Sequence, residues 1–220
     1  MTVRLKHQLL VVTVILVSTL AVWLVVGMEK VYQNFDGPYY VAVSKSWYKK
    51  EILGRNFSFP IPLEYYAAHF PLYPALINAA AGIGLNRLQA MLIVNLAATA
   101  VAAFVLYKVV EEMKWGNPFW VTLAWLFVWP RMWAVRAVGS PETLFILWVI
   151  ASLYYFQKRR FWQAAIFGSL AVITKSPGIL LLLTYLLWWG ENFITTKKWE
   201  GRIYPILLIP AALIAVFGLF

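Results

Sequence analysis

The chain has 220 residues, of which 62% are hydrophobic and 13% charged, whereas a soluble domain carries about half apolar and about a quarter charged residues. Apolar runs recur along its whole length, so the solvent they call for is lipid. The absence of cysteine excludes disulfides, thiolate metal sites and cysteine nucleophiles, and the net charge of +10, dispersed in short loops, reads as topology signal and lipid-phosphate contact rather than nucleic-acid binding.

The first apolar stretch covers 8–28 and follows Arg4 and Lys6. It is longer than a signal-peptide core and no small-residue cleavage site follows it, so it reads as a retained signal anchor. A polar segment, 29–69, comes next. Within it, a helix over 38–50 would place Tyr40, Val43 and Trp47 on one side and Lys45 and Lys49 on the other, with Pro38 in its first turn. That pattern predicts an amphipathic juxtamembrane helix lying in the interface, although a solvated loop helix fits it too.

Further apolar stretches follow at 70–84, 88–110, 118–135, 141–157, 161–174, 177–189 and 204–220. The pieces at 161–174 and 177–189 are short for a hydrocarbon core of about 30 Å. Basic clusters stand at Arg4/Lys6, Lys108/Lys114, Lys158/Arg159/Arg160 and Lys197/Lys198/Arg202, and the positive-inside rule places all of them, with the N-terminus, in the cytoplasm. Reconciling the outside segment 29–69 with Lys108 inside needs an odd number of crossings, so 70–84 is read as a re-entrant or interfacial helix and 88–110 as the crossing. No internal repeat is visible. The last stretch runs to Phe220 without a polar tail, which reads as one transmembrane domain over 1–220 at the N-terminal part of a longer protein.

With this topology the non-cytoplasmic face collects the segment 29–69, Asn86 and Arg87, the stretch from Arg131 to Glu142, and Lys175. Several of these residues are chemically suggestive. Asp36, the first acid of its turn, suits either a general base for an acceptor hydroxyl or an N-cap ahead of Pro38. Arg131 and Arg136 stand among Trp129, Trp133 and Val135, where a guanidinium fork is suited to phosphate or simply snorkels. Glu142, at the start of a stretch, either complements a helix dipole or contacts a substrate hydroxyl. Lys175, at a break between apolar stretches, is placed to pair with phosphate. His69 is either a hydrogen-bond donor to an anion or merely solvated. No metal constellation, P-loop or dinucleotide fingerprint is present, and a lipid-linked donor fits better than a soluble nucleotide.

Four segments line up with one family: Phe35-Asp36-Gly37-Pro38-Tyr39-Tyr40, His69-Phe70-Pro71-Leu72-Tyr73-Pro74, Ser140-Pro141-Glu142-Thr143-Leu144-Phe145 and Lys175-Ser176-Pro177-Gly178. In order and spacing they resemble the PIG-V-like branch of the GT-C glycosyltransferases, whose eukaryotic members are GPI mannosyltransferase II. Phe35 stands where the family has Trp, and Lys175 and Pro177 depart from its Arg and Asn. The resemblance implies an all-α polytopic GT-C bundle with an extracytoplasmic loop and juxtamembrane helix. It implies transfer of a sugar, mannose in that family, from a polyprenyl- or dolichyl-phosphate donor to a glycan, lipid or protein acceptor, without a cofactor. Asp36 would be the catalytic residue, acting as base or orienting the acceptor in an inverting displacement; Arg131, Arg136 and Lys175 would hold the donor phosphate; Tyr39, Tyr40, His69, Tyr73 and Glu142 would line the substrate cleft. The membrane would be the plasma membrane in a prokaryote and the endoplasmic reticulum in a eukaryote. A transporter or flippase for an anionic lipid or solute, which also wants cations at broken helices, and a non-catalytic membrane subunit are the competing expectations.

Overall fold

The structure, a computed structural model, describes residues 2–58, 61–128 and 130–220, and of Pro130 and Arg131 the backbone alone. Helix is the only regular structure among these residues. The order is α1 (Val3–Val26), α2 (Met28–Gln33), α3 (Gly37–Ser46), α4 (Lys50–Asn56), a 3-10 turn (Leu63–Ala68), α5 (Leu72–Ala81), α6 (Arg87–Met113), α7 (Pro118–Phe127), α8 (Pro130–Ala137), α9 (Glu142–Gln157), α10 (Phe161–Thr174), a 3-10 turn (Ser176–Ile179), α11 (Leu180–Thr196), a 3-10 turn (Gly201–Leu207) and α12 (Leu208–Phe217).

Three segments are long and apolar enough to cross a membrane: α1, α6, and the continuous run Ser176–Thr196. The caps mark where two of them begin. Thr2 Oγ1 accepts from the Leu5 amide at the start of α1, and Asn86 and Gln89 form a reciprocal capping box at the start of α6. Helix α5 has 10 residues, about 15 Å, too short to cross by itself.

Three boundaries differ from the sequence expectation. The stretch 118–135 is two helices, α7 ending at Phe127 and α8 beginning at Pro130, since a proline suits the first turn of a helix and offers no N–H to continue an earlier one; Trp129 lies outside the described residues. The stretch 177–189 instead continues through Gly190, Glu191 and Asn192 to Thr196, since none of these side chains has to be buried there. Finally, α3 stops at Ser46, where Trp47 and Tyr48 take left-handed φ values of 50° and 65°. It is not an amphipathic surface helix. Gly37, Tyr40, Val41, Ala42, Val43, Ser44 and Ser46 are all buried, because small side chains let α5 and α6 close over it, and only Lys45 stays outside.

Packing centres on α6. Its small face, including Ala90, Ala98 and Ala102, admits α5 and α9 at close range, while Ala103 packs against Val11 and Ile15 of α1 and Leu126 of α7. Asn95 on the same helix donates from Nδ2 to the carbonyls of Val135 (2.8 Å) and Val138 (2.6 Å), which pins the frayed end of α8. One apolar core joins Val31, Tyr40, Tyr73, Ile77, Met91 and Leu147; a second joins Phe156, Ala164, Val172, Tyr185 and Ile209 from α9 to α12.

The basic clusters collect at one end of the bundle and are clipped together by glutamates. Arg4 reaches Glu111 (3.5 Å), Lys158 reaches Glu112 (2.7 Å), and Arg159 and Arg202 both reach Glu200 (3.9 and 3.0 Å). Tyr154 Oη also donates to Glu112. Thus the N-terminus of α1, the C-terminus of α6, the α9–α10 turn and the segment after α11 share one end, as the charge pattern predicts.

Candidate functional site

The opposite end is built by a close backbone crossing. A methyl group on Gly139 would stand 2.9 Å from Gly37 Cα, and one on Gly37 would stand 3.2 Å from Gly139 O. Only glycines allow the turn before α9 to pass directly over the start of α3. This crossing brings Asp36, one residue before Gly37, to the same end as Ser140 and Glu142.

Asp36 occupies the N-cap position of α3, yet its side chain makes no capping hydrogen bond. Its backbone carbonyl takes the amides of Tyr39 and Tyr40, and the carboxylate is exposed at the rim. Of the two roles open to it, capping is therefore the one the geometry does not use.

Behind Asp36 lies His69, 2% exposed. Rings surround it: Tyr40 at 4.8 Å, Tyr39 at 5.2 Å, Tyr65 at 5.3 Å and Tyr66 at 6.4 Å between centroids. Tyr48 Oη donates to the His69 carbonyl at 2.6 Å, while the ring's Nδ1 is buried without a partner. Burial lowers the pKa of His69 and the neighbouring Asp36 charge opposes that shift without cancelling it, so the imidazole is neutral near pH 7. It is not a solvated histidine.

Tyr40 links the two halves of the site. Its ring packs edge-on against His69 and, at 5.0 Å, against Tyr73, whose hydroxyl donates to Met91 O (3.0 Å). Burial first, then the negative charges of Glu142 and Asp36, hold the Tyr40 hydroxyl well above its ordinary pKa. Both carboxylates therefore act on one buried hydroxyl. On the far side, Lys175 Nζ donates to Glu142 Oε1 at 2.9 Å, and Ser140 Oγ donates to Glu142 Oε2. Both members of the Lys175–Glu142 pair are partly exposed. Lys175 is aimed here by its extended backbone and by the 3-10 turn after it, where Gly178 lies so tightly on α10 that a Cβ would stand 2.5 Å from Val172 N.

Asp36, Tyr39, Tyr40, His69, Tyr73, Glu142 and Lys175 thus share one end of the bundle. Arg136 does not join them. Arg136, 1% exposed, donates to Thr19 Oγ1 (3.1 Å) and Ser18 Oγ (2.8 Å) on α1 and stacks over Phe127. Two hydroxyls of α1 hold its terminal nitrogens, instead of their being aimed at the Lys175 end as an assignment to the donor phosphate requires, and its Nε is buried without a partner. Arg131's side chain lies outside the described residues. Ser140, part of one of the four resembling segments, belongs to the site's walls, as do Tyr48, Tyr65 and Tyr66, which the sequence reading did not single out; the run Tyr65-Tyr66-Ala67-Ala68-His69 is a signal that could have found the last two.

No family model, curated protein or solved structure matches the chain.

Chemically, the arrangement offers an exposed carboxylate, a neutral imidazole, aromatic walls and an ammonium with two N–H bonds beyond the one given to Glu142. Among the described residues no three metal-ligating side chains come together. Aromatic faces and carboxylates suit a polyhydroxylated ligand, and the ammonium suits an anion beside it.

Proposed function

We propose that this end of the bundle is the active site of a glycosyltransferase that takes a sugar, mannose by the resemblance, from a polyprenyl- or dolichyl-phosphate. In this reading the chain crosses the membrane several times in a GT-C-like bundle, with the basic end in the cytoplasm and the site at the opposite face. The Asp36 carboxylate accepts the proton of an acceptor hydroxyl. The acceptor oxygen forms its bond to the anomeric carbon as the bond from that carbon to the lipid-phosphate oxygen breaks, with inversion. The phosphate departs with the bonding pair, and Lys175 offsets the charge developing on it. Glu142 and the tyrosines hold sugar hydroxyls.

The observation that carries the reading is the uncapped Asp36 carboxylate, which lies, like the Glu142 carboxylate paired with Lys175, close enough to Tyr40 for its charge to act on that hydroxyl. An acid, a cation and aromatic walls from four separate segments meet here, in the chain order of the resembled motifs. The test is transfer from a labelled polyprenyl-phosphate mannose by the purified chain. Asp36→Asn lowers the rate by about a hundredfold or more, the scale of a lost general base, with expression and unfolding temperature unchanged. Undiminished transfer by that variant rejects the role.

A further inference from the structure

A cavity of about 490 Å³ opens between α3, α5 and the start of α6, outside the Asp36 site. Its wall carries two cations from separate elements, Lys45 and Arg87, the amide side chains of Asn78 and Asn86, and the apolar Val41 and Leu85. No carboxylate lines it. Among the described residues neither Lys45 nor Arg87 belongs to an ion pair, unlike the cations Arg4, Lys158 and Arg159 at the other end.

The arginine is oriented and incompletely satisfied. Its Nη2 donates to Asn78 Oδ1 at 2.9 Å, while its Nε is buried with no partner. A buried guanidinium N–H without an acceptor is costly, and an anion oxygen relieves that cost. Lys45 Nζ lies 5.8 Å over the Phe57 ring, a contact that leaves its N–H bonds available. The α6 start adds to the same polarity: the capping box satisfies Asn86 and Gln89, and the free amides of the first turn carry the positive end of a 27-residue helix. A fork, a point charge and free amides around one open cavity are the donor set for phosphate oxygens. The volume far exceeds that of a bare anion, for which about 30 Å³ per water is the yardstick, so a group bearing a phosphate fits with room for its substituents.

We infer that this cavity is a second anion site, one that binds the phosphate group of a membrane lipid or a soluble phosphate through Lys45 and Arg87. The inference does not rest on the proposed glycosyl transfer: the cavity and its cations stand whatever Asp36 does.

The test is equilibrium binding to the purified full chain in neutral detergent, with dioctanoyl phosphatidic acid, dioctanoyl phosphatidylcholine and inorganic phosphate as probes. Phosphatidic acid binds, and the double variant Lys45→Gln/Arg87→Gln binds it about tenfold or more weakly. The charge-keeping Lys45→Arg/Arg87→Lys chain recovers most of the affinity, which separates charge from misfolding. Lys6→Gln, at the other end of the molecule, leaves binding unchanged. Preference for phosphatidic acid over inorganic phosphate assigns the cavity to a lipid headgroup. Equal or tighter binding of inorganic phosphate, with the same loss in the double variant, supports the anion site with a soluble ligand. Binding of phosphatidic acid and phosphatidylcholine alike, binding untouched by the double variant, or no binding of any probe overturns the proposal.

Discussion

The two ends of the bundle handle charge in opposite ways. At the basic end, cations outnumber acids, but Glu111, Glu112 and Glu200 each bridge segments distant in sequence, and the groups lie at or near the surface. At the other end Asp36 has no capping hydrogen bond, His69 is buried and neutral, and the Lys175–Glu142 pair stands near Tyr40, while Lys50 and Glu64 pair at the exposed surface. The first end is a set of clips in high dielectric, where each contributes little. The second keeps ionisable groups against aromatic walls, where charge is costly and reactivity is tuned. Shared helices, with different solvation at their two ends, separate a fastening from a site.

The comparison breaks most severely at Gly178. A methyl there meets backbone atoms of Ala171 and Val172 that cannot swing aside. Gly178→Ala costs about 3 kcal/mol, the upper range for overpacking, and thermal unfolding in detergent reads it. Next comes Arg136. Truncation to alanine leaves Ser18 and Thr19 without their partner and opens a hole, at a cost of about 2 kcal/mol. The surviving folded fraction keeps its donor KM, since the side chain touches α1 and not the site; a raised KM would return Arg136 to the phosphate. Glu142→Gln costs about 1 kcal/mol, discounted because the pair is partly wet, but it lowers transfer by freeing Lys175 from its aim.

Smaller still is a pH effect from His69. Its folded pKa lies below the ordinary value of about 6.5, so the unfolded chain binds the proton more readily and stability falls as pH drops through that value. Unfolding temperatures at about pH 7.5 and 6 show the drop. His69→Gln flattens it; an identical slope in that variant would put the proton elsewhere. The least effect belongs to the clips. Glu112→Gln lowers the unfolding temperature slightly at low salt and less at high salt, because screening already weakens its contacts to Lys108 and Lys158.

How much of this was legible depended on range. Helices α1 and α6 were readable because length and apolarity are local properties. The residues Asp36, His69, Glu142 and Lys175 were readable as chemically unusual in their surroundings, and charge pattern alone sorted them to one end. The end of α3 was not, since Trp47 and Tyr48 adopt left-handed backbone without the glycine that would announce it. Nor was the burial of α3, which turns on α5 and α6 covering a face that reads as half polar. Arg136 misled because an arginine among aromatics looks the same whether it awaits a phosphate or holds Ser18 and Thr19 a hundred-odd residues away. The break before Pro130 was written in the proline but hidden by apolar residues on both sides of it.

The distribution of the site along the chain sets an order of assembly. Its ring-lined half, Tyr39, Tyr40, Tyr65, Tyr66 and His69, is complete by residue 69 and leaves the ribosome ahead of Glu142 and Lys175. Glu142 and Lys175 emerge only with the α9–α10 hairpin. During synthesis the first half therefore forms ahead of the residues that supply its cation, and the candidate site is complete only once the segment bearing Lys175 has been made.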